Sequence, residues 1–207
     1  MELKIINDND FGQNVYLYYD KNSGDGVVID PGDNLENIRQ TLAEGINVKA
    51  ILLTHGHFDH ILSAAELRKL TGANIYAHEA EVQVLESPDF NRSSQVGRNE
   101  VAVTPDKCFT DGDIFKIGNA AEIKIIHTPG HTGGGVCYYD EKNAVIFTGD
   151  TLFKETIGRT DMPTGNHSTL LASIKEKLFT LPENVTVYPG HGESTSISHE
   201  KAKNPHF

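Results

Sequence analysis

The sequence predicts an α/β fold built as a four-layer αββα sandwich, and three features point to it. Strand-type and helix-type segments alternate in two similar halves, β-β-β-α-β-α and then β-β-β-β-α-β. One strand, over 48–53, is almost continuously apolar, as a strand covered on both faces should be. The chain has 207 residues, enough for one domain that buries roughly 70% of its unfolded surface. Two sheets face to face with helices outside accommodate this order, so residues 1–207 are expected to form a single domain.

Taken in order, β signals over 3–6, 15–19 and 27–29 are separated by Asn, Gly, Asp and Ser clusters that suit turns, so a meander opens the fold. Asp33 with Glu36 three positions on reads as a capping box, and Leu35, Ile38 and Leu42 repeat at helical spacing up to Gly45. After the strand over 48–53, the residues Ile61, Leu62, Ala65 and Leu70 form a second amphipathic pattern closed by Gly72. A strand over 74–77 and a short helix over 79–85 follow. Periodicity then disappears over 86–105, and so long an irregular stretch is expected to be a lid or a binding loop. Strands over 114–117, 122–127, 135–139 and 144–147 return, then a helix over 168–181 with Leu170, Leu171, Ile174 and Leu178 along one side, then a strand over 185–188.

Composition narrows the function classes. The formal net charge is −11, with 29 acidic against 18 basic residues and no Lys or Arg stripe, which disfavours a nucleic-acid partner held through phosphates. Cys108 and Cys137 are the two cysteines, lack a paired spacing and are expected to be reduced, with Cys137 serving as a small apolar residue in a strand. The N-terminus has no basic start followed by an apolar run, and no stretch of eighteen apolar residues exists, so a cytoplasmic protein without a membrane partner is expected.

Chemistry concentrates directly after the apolar strand, in Thr54-His55-Gly56-His57-Phe58-Asp59-His60. Residues two apart in an extended segment share a side, so His55 and His57 can face one cation. Asp59 and His60 fall where the chain turns into a helix, whose N-terminus favours a carboxylate and a neutral imidazole. Four donors in so short a loop do not all wrap one tetrahedral ion, which implies two ions and further ligands. Those are found at strand ends followed by glycine turns: His131 after Pro129-Gly130, Asp150 after Thr148-Gly149, and His191 after Pro189-Gly190. His78, His127, His167, His199 and His206 are read as ordinary surface or hydrogen-bonded histidines.

This pattern, H-x-H-x-D-H followed by a distant His, Asp and His, resembles the metallo-β-lactamase superfamily, and within it the hydroxyacylglutathione hydrolase (glyoxalase II) relatives, over nearly the whole chain. The resemblance implies the metallo-β-lactamase fold. It implies that His55, His57 and His131 hold one divalent ion, that Asp59, His60 and His191 hold a second, and that Asp150 bridges them, with Asp59 and Asp150 as the catalytic carboxylates. The all-nitrogen-and-oxygen donor set suits zinc and also admits iron or manganese. A water shared by two such ions is acidified enough to attack as metal-bound hydroxide at neutral pH. No G-x-S-x-G elbow offers a serine route.

The expected partner is a small-molecule thioester such as S-lactoylglutathione. Arg159, in Gly158-Arg159-Thr160-Asp161, is the candidate for gripping a substrate carboxylate, and a structural salt bridge to Asp161 is its alternative role. Two-domain glyoxalase II enzymes carry a Lys-Phe-Tyr type loop here and a C-terminal helical domain, whereas this chain ends sixteen residues after His191, so the shorter single-domain members are the expected likeness. An iron-dependent persulfide dioxygenase shares the Gly-Arg-Thr-Asp stretch and is the alternative reaction, and a lactonase or β-lactamase would use the same metal cluster. The missing secretion signal counts against a secreted β-lactamase, and His57, where flavodiiron proteins have Glu, counts against those oxidoreductases. A non-catalytic, metal-stabilised binding module is the remaining reading. It is disfavoured because structural zinc sites are closed and four-coordinate.

Overall fold

A computed structural model describes residues 1–7, 9–33, 35–97 and 100–207. Its first sheet has six strands, β1 (Glu2–Ile6), β2 (Val15–Tyr19), β3 (Asp25–Ile29), β4 (Asn47–Leu52), β5 (Asn74–His78) and β6 (Lys107–Phe109), hydrogen-bonded in that order. The meander β1 to β3 is antiparallel and β3 to β6 run parallel, because helices make the crossovers between them. These helices are α1 (Leu35–Leu42), α2 (Phe58–Ile61), α3 (Ala64–Thr71) and α4 (Val82–Glu86). Asn34, inside the expected capping box, lies outside the described residues.

The second sheet is formed by β7 (Ile114–Ile117), β8 (Ala121–His127), β9 (Val136–Asp140), β10 (Val145–Gly149), β13 (Thr186–Pro189) and β14 (Thr195–Ser196), in the order β14-β13-β10-β9-β8-β7. A small hairpin, β11 (Leu152–Phe153) with β12 (Thr156–Ile157), stands apart from both sheets. The helix α5 (His167–Ser173) is capped by Asn166, whose side chain accepts from the Thr169 amide, and it continues as a π-turn over Ile174–Leu178. The helix α6 (Ile197–Lys203) ends the fold.

Side-chain alternation along the strands sorts the core into three clusters, as four layers require. Tyr16, Tyr18, Val27, Ile29, Ala50 and Leu52 pack with Ile123, Ile125, Tyr138 and Phe147 between the sheets. Their neighbours one residue away, Val15, Leu17, Val28 and Ile51, face the opposite side and pack with Ile38 of α1 and Leu67 of α3. On the far side, Cys137, Tyr139, Ile146 and Val187 pack with Leu170, Ile174, Leu178 and Ile197. Each such buried aliphatic side chain contributes roughly 1.5–3 kcal/mol. The αββα sandwich is therefore the observed architecture.

Three sequence expectations are corrected. The helical pattern after residue 60 breaks at Ser63, so Ile61, Ala64 and Leu67 form the buried face while Leu70 is 49% exposed. The helix expected over 168–181 gives way to the π-turn, which keeps Leu170, Ile174 and Leu178 buried on one side. The irregular segment over 86–105 is tied down rather than lid-like in its described part. Asn91 and Ser93 are buried, Asn91 Nδ2 donates to Val101 O at 2.7 Å, Val103 N donates to Leu85 O at 2.9 Å, and Asn91 O accepts from Phe58 N at 2.9 Å. Residues 98 and 99 of that segment lie outside the described residues. No helix among the described residues is long and apolar enough to cross a membrane.

Candidate metal centre

Strand direction places the candidate donors together. In the first sheet β3 and β4 are parallel, and in the second β8, β10 and β13 share one direction, so the turns after these strands gather at one edge of the sandwich. Cross-sheet bonds hold the edge closed: Val136 N donates to Thr54 O at 2.9 Å, and the Tyr138 hydroxyl donates to Leu53 O at 2.7 Å. The His191 turn is stitched to the N-terminal half, with Asn14 N donating to Gly190 O at 2.8 Å and Asn14 Nδ2 to Pro189 O at 3.0 Å. At Gly149, φ is +47° and a Cβ would lie 2.2 Å from Thr54 Oγ1, so the turn that presents Asp150 against the His55 loop requires glycine.

All seven expected ligands meet here. His55, His57 and His131 form one group of convergent donor atoms, and Asp59, His60 and His191 form another, each with its atoms within 4.8 Å of one another. His57 Nδ1 lies 2.8 Å from His131 Nε2, and His191 Nε2 lies 3.2 Å from Asp59 Oδ2. Asp150 stands between the groups: Oδ1 is 3.3 Å from His60 Nε2, and Oδ2 is 3.6 Å from His131 Nε2 and 3.7 Å from His191 Nε2. Asp30 forms a third close set with His55 and His60.

The outer nitrogens of these rings are held by the protein. His60 Nδ1 donates to Asp30 Oδ2 at 3.0 Å, and Asp30 also accepts from Thr54 N at 2.7 Å and from Thr54 Oγ1 at 2.5 Å. With its own proton given to Asp30, Thr54 Oγ1 accepts from His55 Nδ1 at 3.1 Å. His131 Nδ1 donates to the carbonyl oxygen of Arg159 at 2.7 Å. These assignments follow from the bonding network, since each Nδ1 proton has one acceptor available. They direct the Nε2 atoms of His55, His60 and His131 inward. Asp30 itself adopts φ +49°, an unusual conformation for a non-glycine residue that its three hydrogen bonds hold in place.

Whether this donor set fits a metal is answered by its unsatisfied atoms. Among the described residues, buried His55 Nε2, His60 Nε2 and Asp150 Oδ1 form no hydrogen bond of good geometry, the last two facing each other at 3.3 Å. Burying such atoms unpaired is costly, and gathering them at one point is accounted for by cations that use their lone pairs. The residues therefore fit two divalent ions, with imidazole and carboxylate donors of the kind zinc, iron and manganese accept.

Electrostatics differ between the two groups. Burial lowers the His55, His57 and His131 pKa values, His57 to about 3, so these rings are neutral at pH 7. Burial opposes charge on His60 and His191 too, but Asp150 and Asp59 outweigh it and raise both. The helix terminus expected to keep His60 neutral is a four-residue helix, and the adjacent carboxylates dominate its weak field. Burial likewise pushes the Asp59 and Asp150 pKa values up, yet His60 and its neighbours hold them low, Asp150 well below the ordinary range.

Arg159 is placed differently from the other candidates. Its side chain is 63% exposed and grips Asp161 in a two-pronged pair, Nε to Oδ1 at 2.7 Å and Nη2 to Oδ2 at 2.8 Å, which is the alternative role considered from the sequence. Its backbone carbonyl is what reaches the centre, through His131. Aromatic rings flank the donors: Phe58 meets Phe11 edge-on at 5.0 Å between centroids, and Phe153 lies 6.2 Å from the His191 ring. The other histidines have ordinary roles, His78 stacking on His127 at 4.0 Å and His199 Nε2 lying 2.9 Å from Glu155 Oε1. Asp30 and Thr54 were assigned no role from the sequence, although Asp30 ends a strand before Pro31-Gly32 much as Asp150 ends one after a glycine.

Comparison with known proteins bears on this geometry. Residues 8–191 match the family model described as the Metallo-beta-lactamase superfamily. A Streptococcus pyogenes serotype M6 protein described as a probable metallo-hydrolase is 41% identical, covering 95% of this chain and 86% of its own length. The hydroxyacylglutathione hydrolase GloC of Haemophilus influenzae is 36% identical, covering 99% and 97%. Among solved structures, the BLEG-1 B3 metallo-beta-lactamase is 39% identical with a TM-score of 0.93, covering 99% of each chain. TTHA1623 in a di-iron-bound form is 32% identical with a TM-score of 0.87, covering 99% and 100%. ETHE1 from Myxococcus xanthus is 30% identical with a TM-score of 0.80, covering 99% and 84%.

Proposed function

We propose that this chain, which belongs to the metallo-beta-lactamase superfamily and with it to the metallo-hydrolases, cleaves a low-molecular-weight thioester such as S-lactoylglutathione into a hydroxy acid and a free thiol. The observation that carries the reading is the meeting of two donor triads across Asp150, with buried imidazole and carboxylate atoms left unpaired at the junction. The hydroxyacylglutathione hydrolase relative supports the thioester over other acyl substrates.

In this reading His55, His57 and His131 would hold one ion and Asp59, His60 and His191 the other, with Asp150 standing between the two triads. When bound, such a pair supplies Lewis acidity toward a carbonyl oxygen and a water whose pKa is brought toward neutrality. The protein does the rest. Asp30, Thr54 and the Arg159 carbonyl keep the ring protons on the outer nitrogens. Asp59 and Asp150, ionised at neutral pH, present acceptor oxygens that orient an attacking water. Phe58 and Phe153 give the thioester apolar walls that limit water around its carbon. Arg159 exchanges Asp161 for a carboxylate of the thiol carrier, to which its planar fork is equally suited.

A second reading, an iron-dependent persulfide dioxygenase, is favoured by the Gly158 to Asp161 stretch and by the likeness to ETHE1. The test separates the two, and a lactonase from both. Protein loaded in turn with zinc, iron or manganese is given a panel of thioesters with thiol release followed, lactones with ring opening followed, and glutathione persulfide with oxygen uptake followed. Thiol release is the expected result. If every thioester is inert while oxygen is consumed with one iron per chain, the dioxygenase reading replaces it.

A further inference from the structure

Glu81 is a buried carboxylate that the chemistry above does not use. It is 1% exposed, and no cationic side chain pairs with it among the described residues. Two backbone amides reach it instead: Gly56 N donates to Oε1 at 2.8 Å and Gly134 N donates to Oε2 at 2.8 Å. Gly56 lies between His55 and His57, and Gly134 lies three residues after His131. One carboxylate thus spans the two loops that supply a single donor triad.

The packing around it is close. A Cβ at Gly134 would stand 2.3 Å from Glu81 N, and one at Gly56 would stand 3.0 Å from both Leu85 N and Val84 Cγ1. Both loops therefore press onto residues 79–86 at positions that have no side chain. That segment is anchored by His78, whose Nδ1 accepts from Ala80 N at 3.2 Å and whose ring stacks on His127 at the start of the His131 loop. An unpaired buried N–H is costly, so the pair of contacts resists separation of the loops.

We propose that Glu81 is a positioning residue that clamps the His57 and His131 loops together and so sets the affinity of the His55, His57 and His131 triad for its ion. The inference rests on the reading of that triad as a metal site. The 2.8 Å approach of His57 Nδ1 to His131 Nε2 is the distance the clamp governs. A strut with no bearing on the triad would lower stability alone.

The experiment is a titration of metal-free protein with zinc against a chromophoric chelator, resolving two successive binding constants, with cobalt(II) absorption spectra recorded in parallel. His131→Ala and His191→Ala identify which constant belongs to which triad. Glu81→Gln keeps the size and one acceptor but turns the other toward an N–H as a donor, and Glu81→Ala removes both contacts. The expected result is a roughly ten- to hundredfold loss at the three-histidine constant in Glu81→Gln, with the other constant much less affected and the cobalt spectrum altered. If Glu81→Ala does not fold, Glu81→Gln decides alone. Unchanged constants, or equal weakening of both, would overturn the proposal while leaving the metal reading intact. Failure of the wild-type protein to bind two ions would overturn both.

Discussion

Substituting Asp30 by Asn changes one atom, yet the structure expects it to weaken metal binding. The carboxylate accepts three hydrogen bonds, from Thr54 N on Oδ1 and from Thr54 Oγ1 and His60 Nδ1 on Oδ2. The amide of Asn has one acceptor and one donor end. With the donor on the Oδ2 side, it faces the His60 nitrogen, which then relinquishes its proton. The favoured tautomer of His60 moves that proton to Nε2, which lies 3.3 Å from Asp150 and points into the donor cluster, where it competes with a cation. With the donor on the Oδ1 side, it opposes the Thr54 amide proton, and a buried N–H is left unpaired. Either orientation loses a charged hydrogen bond, roughly 1.5–3 kcal/mol. Losses of a histidine-orienting group of this kind reduce metal affinity about ten- to hundredfold, or about 1.4–2.8 kcal/mol. A chelator competition on wild type and Asp30→Asn measures this. Equal affinities and an unchanged metal-to-chain ratio would show that Asp30 does not govern the His60 tautomer.

Three further outcomes are expected. Cys137 is buried and its thiol is pushed up to about 12 by burial, so iodoacetamide at pH 7.5 should label the exposed Cys108 alone, and mass spectrometry showing two labels on folded protein would contradict that packing. Arg159→Ala should leave the melting temperature unchanged, since the Asp161 pair is exposed, and should raise KM for a carboxylate-bearing thioester about tenfold with kcat nearly held; unchanged KM removes Arg159 from substrate binding. Burial raises the Glu81 pKa from 4.5 to about 7, so the metal-free folded state binds the extra proton between these values and the Glu81 contribution to stability falls as pH rises across that window. Denaturant unfolding of metal-free protein should show the stability of wild type relative to Glu81→Gln declining from pH 4.5 to 7 and level above it; a rising difference would reverse the sign.

The residues that bring the centre together were legible because each carries its own signal. The loop at His55 to His60 follows a strand apolar on both faces, and His131, Asp150 and His191 each end a strand at a glycine turn, so position and chemistry coincide. What escaped lacks either periodicity or a distinctive side-chain type. β6, the β11–β12 hairpin and β14 are two or three residues long, and α6 is a single short helix of mixed composition. Asp30, Thr54 and Glu81 are common residues whose roles come from contacts 24, 30, 25 and 53 positions away in the chain, visible only once the sheets are assembled. The Arg159 contribution is hidden more deeply, because the group that touches His131 is a carbonyl that any residue carries.

Stepwise addition of zinc to metal-free protein, with the rate of thiol release from S-lactoylglutathione measured at each step, joins the metal centre to the reaction in one curve. The rate should rise from near zero and level at two equivalents per chain, as two triads sharing Asp150 require. A plateau at one equivalent, or a rate indifferent to added metal, would contradict a hydrolase that works through both triads.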